Sequence, residues 1–170
     1  MNDLVSRIKI DNSADVAICL LDTGVNNGHT LLQPLLSDSD LHAYNSEWGV
    51  HDNNINPHGT LVSGISAYGD LSEILSKNNP IIIKHRLESV KILPPDSFEP
   101  NDPFSYGAIT TSAAALPEIA ASERPRVFCM AVTNENRSGA EPTGWSAALD
   151  QISSGADAVE EGPDHIRRLF

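Results

Sequence analysis

Val16-Ala-Ile-Cys-Leu-Leu21 is an unbroken apolar run that ends at Asp22-Thr-Gly24. A strand covered on one face alternates polar and apolar residues, whereas a strand covered on both faces does not. The run therefore predicts a buried parallel strand, and the polar tripeptide after it predicts a turn at the strand's carboxyl end. Val127-Phe-Cys-Met-Ala-Val132 reads the same way, and Ser89-Val-Lys-Ile-Leu93, stopped by Pro94-Pro95, is a third strand candidate. Helical patterns lie between these runs. Leu61, Val62 and Ile65 follow His58 at helical spacing, with Gly69 as the stop. Residues 106–122 are rich in alanine and helical in character, with Pro117 expected to kink or split the helix. Thr143 can cap a helix whose face is Trp145, Ala148, Leu149 and Ile152, ended by Gly155. The polar stretch 26–57 reads as loop with a short helical turn over 30–36. Strands alternating with helices give an α/β class, a parallel sheet flanked by helices.

The chain has 170 residues, 40% of them hydrophobic, which suits one domain with a core and excludes a disordered chain. Its net charge of −12 sets a field that repels nucleic acid and anionic membrane, so neither is expected as a partner. Cys19 and Cys129 sit inside apolar runs and read as buried thiols rather than halves of a disulfide. No stretch approaches the length of a membrane span, and the first 15 residues carry Asp3, Arg7, Lys9, Asp11 and Asp15 where a signal peptide needs an apolar core. A soluble protein of the reducing cytoplasm is the expectation.

Two short motifs carry the chemistry. Asp22 follows a buried strand, at the carboxyl edge where open α/β sheets bind ligands. His58 opens a helix and is followed by Gly59, which has no side chain to block approach, so its ring is expected at the same crevice. His29, His42, His51, His85 and His165 lack such a setting and read as surface residues. Together, Leu20-Leu-Asp-Thr-Gly-Val25 and His58-Gly-Thr-Leu-Val-Ser-Gly64 resemble the aspartate and histidine signatures of the subtilisin-like serine peptidases, in order and 36 residues apart. The segments 89–93, 127–133 and 145–155 are similar to that family's later strands and helix.

The resemblance implies a subtilisin-like fold and hydrolysis of peptide bonds, with Asp22 and His58 as two members of an Asp/His/Ser triad. It places Ala131, Val132 and Thr133 on the strand that pairs with the substrate backbone, where the family commonly reads Ser-Leu-Gly. It implies a peptide or protein substrate and no cofactor, and no metal site can be assigned. The family's second histidine is replaced by Leu61, and Asn56-Pro57 stands where small residues are usual. The nucleophile motif Gly-Thr-Ser is absent from the 170 residues. The oxyanion asparagine would end a strand beginning at about Arg168. The expectation is that residues 1–170 form the amino-terminal part of a single peptidase domain, with an incomplete sheet, no activity alone and a tendency to self-associate through the uncovered edge. Three other readings stand beside it. A pseudoenzyme or regulatory binding module would keep the Asp/His pair for its packing. An aspartic peptidase would use Asp22-Thr-Gly24 on an all-β fold. A metal site would need His51, Asp52 and His58 to converge with another ligand.

Overall fold

The computed structural model describes residues 2–11, 13, 15–133, 141–156 and 168–170. Its helices and strands, in chain order, are α1 (Asn2–Arg7), β1 (Ile8–Ile10), β2 (Ala17–Asp22), β3 (Leu41–Ala43), α2 (His58–Tyr68), α3 (Leu71–Leu75), β4 (Ile81–Ile83), β5 (Arg86–Lys91), α4 (Tyr106–Ala120), β6 (Arg126–Cys129) and α5 (Gly144–Ser154). The central sheet runs β3-β5-β2-β6 and every pair in it is parallel. Beyond β6, Leu169 forms a parallel bridge with Val127, where a further strand was expected to begin. A separate two-stranded parallel sheet joins β1 to β4.

Successive residues of β2 feed opposite layers, which is why the run shows no polar alternation. Leu20 packs with Leu87, Leu35, Ala67 and Tyr68 on the side of α2. Cys19 and Leu21 pack with Val90, Phe128, Ile109, Ala113 and Ile152 on the side of α4 and α5. Both faces of the sheet are therefore covered, as an α/β architecture requires. The α5 helix follows its sequence pattern closely. Thr143 makes the capping box with Ser146, Gly155 adopts the left-handed conformation at the far end, and Ile152 is buried.

Several sequence expectations are corrected. The stretch 30–36 is a series of turns, held by Leu32 and Gln33 N–H groups donating to the His29 carbonyl, and does not continue as a helix. Strand β6 stops at Cys129 rather than 132, and β5 spans Arg86–Lys91 rather than 89–93. The early start of β5 brings Glu88 into a buried position that periodicity alone did not allow. It is accommodated because Arg124 and Arg126 reach it at 2.6 and 2.9 Å. Pro117 does not split α4. It lies in the last turn, and its carbonyl accepts from the Arg126 guanidinium and the Ala121 N–H, so the helix closes beyond it. His42 and His85 are half-buried rather than at the surface, and His85 Nε2 lies 3.2 Å from the Ser66 carbonyl. His165 lies outside the described residues. The two cysteines are free, with Cys19 buried and Cys129 half-buried.

The apolar pattern of α2 is also misleading. Leu61 and Ile65 are 59% and 66% exposed, while the helix presents Gly59, Ser63 and Ala67 inward. These three recur every fourth residue and form a stripe without bulk, which lets the helix backbone approach the end of β2 closely.

The Arg124 guanidinium links Glu88 to Asp40, which it meets at 2.8 Å. Burial works to raise the Asp40 pKa, but the Ser37 hydroxyl and Arg124 outweigh it and hold the carboxyl below its ordinary value. A carboxyl depressed in this way contributes stability above the ordinary carboxylate pKa and loses it as the pH falls. The fold is expected to weaken in acid, and Asp40→Asn to flatten that dependence below about pH 4. Urea midpoints across the acid range check this, and an unchanged slope in Asp40→Asn would remove Asp40 as its source.

Candidate active site

Asp22 is the last residue of β2 and His58 the first of α2, so strand end and helix start converge at the carboxyl edge of the sheet. The His58 Nδ1 lies 2.9 Å from both carboxylate oxygens of Asp22. Asp22 is 2% exposed and the His58 side chain 42% exposed. The carboxylate is thus fixed in the interior while the ring spans from it to the surface. With a carboxylate as acceptor, the proton on the neutral ring resides on Nδ1, which leaves Nε2 free to take up and release protons. Asp22 is held in turn, because the Thr23 N–H donates to its Oδ1 at 2.7 Å and its own carbonyl accepts from the Ile92 N–H at 2.8 Å.

The start of α2 has no cap of its own. Pro57 occupies the N-cap position and makes no side-chain bond to the helix. The first-turn N–H groups instead find acceptors elsewhere. His58 N–H donates to the Asn56 carbonyl at 2.8 Å, Gly59 N–H to Thr23 Oγ1 at 2.9 Å, and Thr60 N–H to Asp52 Oδ2 at 2.9 Å. The roles of Thr23 and Asp52 were not read from the sequence. The available signal was the proline itself, because a proline at the N-cap offers no side-chain acceptor and leaves first-turn donors that another segment must satisfy. Lys91 was also missed. It is fully buried at the end of β5, beside Asp22 in register, and its ammonium donates to the His51 carbonyl at 2.9 Å and to Asn53 Oδ1.

Thr23, the residue after Asp22, also lines a cleft of about 420 Å³ with Asn54, Leu93, Pro95, Phe98 and Tyr106, among others; Asp22 and His58 are not in its wall. A smaller cavity of about 50 Å³ lies between Ile92, Ile109, Tyr106, Trp145, Val132 and Thr133. Tyr106 and Trp145 meet edge-on at 5.1 Å, and the indole N–H donates to Thr110 Oγ1 at 3.0 Å. Val132, half-buried, and Thr133, exposed, reach a cavity wall, and Ala131 is exposed away from it; all three lie beyond the end of β6. Among the described residues, no group of three or more His, Cys, Asp or Glu side chains is placed to hold a metal ion. Nor is any helix there long and apolar enough to cross a membrane. The parallel α/β sheet is incompatible with the all-β fold of the aspartic peptidase reading.

The Subtilase family model matches residues 13–170. The chain belongs to the subtilase family. No curated protein and no solved structure gave a significant match. Family membership supports a serine peptidase of this class, and it covers the central sheet and its helices while leaving α1 and β1 outside the match.

Proposed function

We propose that the protein is a subtilisin-like endopeptidase in which His58 is the general base and Asp22 its orienting partner. The observation that carries the proposal is the Nδ1 to carboxylate contact of 2.9 Å at the carboxyl edge of a parallel sheet. His58 Nε2 takes the proton of a serine hydroxyl as that oxygen attacks the peptide carbonyl, and returns it to the leaving amine. Asp22 keeps the imidazole in the Nδ1-protonated form and stabilises the cation that forms during attack. The 170 residues contain no Gly-Thr-Ser motif, so in this reading the nucleophile comes from residues outside them. A peptide substrate lies along the cleft, with 131–133 as a backbone partner.

The absence of the motif also favours a second reading, a pseudoenzyme or regulatory binding module that retains the pair. A fluorophosphonate probe applied to protein from the complete reading frame separates the two. Labelling that disappears in His58→Ala supports the peptidase. No labelling and no hydrolysis of casein would leave the binding module.

A further inference from the structure

The loop before α2 is tied down on three sides. Asp52 is buried, and its Oδ2 accepts from both the N–H and the Oγ1 hydroxyl of Thr60 at 2.9 Å. The Asn26 side chain donates to the Asp52 carbonyl at 2.9 Å, and the Asn26 N–H donates to Thr60 Oγ1 at 3.1 Å. Lys91 holds the residues on either side through His51 and Asn53. Burial lowers the Lys91 pKa, against which the Asp52 and Asp96 carboxylates act to keep it charged. A Cβ on Gly24 would fall 2.7 Å from the Val50 carbonyl, so the loop also presses on the turn that follows Asp22.

These contacts have a common consequence for the helix. A cap normally comes from the residue preceding the first turn, and it moves with its own helix. Here Pro57 provides none, and the carboxylate at the third helical position comes from a loop anchored to β5 and to the turn after β2. A negative group at this end is also favoured by the helix dipole. The first turn of α2, which carries His58, is thereby referenced to the strands rather than to its own chain direction.

We propose that Asp52 is a positioning residue: by capping α2 in place of Pro57 it holds the His58 imidazole in register with Asp22, with Lys91 fixing the loop that carries it. The inference rests on the Asp22–His58 pairing used under Proposed function, but not on activity, so it is tested by a spectroscopic reading of the ring. Long-range ¹H–¹⁵N correlation on ¹⁵N-histidine protein at alkaline pH reports which ring nitrogen of His58 carries the proton. The unsubstituted chain is expected to show the Nδ1-protonated form. Asp52→Ala is expected to lose it in favour of a tautomer mixture while amide protection in the central sheet persists. Asp52→Asn is expected to restore it, because the amide oxygen still accepts from the Thr60 N–H. An Asp52→Ala protein that keeps the Nδ1 form overturns the inference and leaves the pairing intact. Absence of that form from the unsubstituted chain overturns the pairing as well. If Asp52→Ala does not fold, Asp52→Ser carries the test: it keeps a small polar side chain in the pocket but is one atom too short to reach the Thr60 N–H. A reduced Nδ1 fraction there supports the role, and an unchanged one overturns it.

Discussion

Asp22→Asn is expected to lower the peptidase kcat by about 10⁴, in protein that carries the nucleophile, with little change in KM or in thermal stability. An asparagine of the same shape keeps the space filled but can present an amide N–H to Nδ1. The imidazole then turns its proton outward to Nε2, the nitrogen that has to accept the serine proton. His58→Ala removes the base altogether and is expected to cost orders of magnitude in kcat. Steady-state hydrolysis of a chromogenic peptide, with unfolding curves for each variant, measures both. Either variant turning over as fast as its parent would sink the assignment of the pair. A loss confined to KM would move Asp22 from orienting the base to shaping the cleft.

Gly59→Ala is expected to be the most damaging single methyl addition near the site. A Cβ there would lie 2.2 Å from the Gly24 carbonyl oxygen, 3.1 Å from Thr23 Oγ1 and 3.2 Å from the Asp22 Cβ. The first of these is backbone, so no side-chain rotation relieves it, and α2 must move away from the end of β2. Overpacking of a tight interior costs about 1–3 kcal/mol and more where backbone has to shift, so a loss at or above about 3 kcal/mol is expected. Displacing the helix also draws His58 from Asp22. Urea unfolding gives the first effect and the His58 tautomer the second. A stability change under about 0.5 kcal/mol, the range of neutral surface substitutions, would contradict the close approach. Gly64 on the same helix is the internal control, since a Cβ there meets nothing within 4 Å.

The legible parts of this molecule are those governed by short-range patterns. The apolar run ending at Asp22 announced a strand covered on both faces, Thr143 and Gly155 bounded α5, and the order of the aspartate and histidine motifs pointed to the family and to a shared crevice. The helix after His58 was legible as a helix but not in its orientation. Of its apolar residues Val62 packs against the core while Leu61 and Ile65 are exposed, and the sheet took the stripe of Gly59, Ser63 and Ala67, because close backbone approach at this point required the absence of bulk.

What the sequence by itself determined is the alternation of strands and helices, the buried character of the central strand and the identity of the two residues that meet at its end. Each of these follows from side-chain character within a few positions of the chain. Only the tertiary structure decided how those residues are held. Asp52 caps a helix that begins six residues later, Thr23 caps it from another element, and Lys91 and Glu88 are charged groups buried in a strand where pattern alone calls for apolar ones. A buried charge is tolerable only where partners from distant segments converge on it. That convergence is a property of the folded arrangement, so no local pattern could announce it.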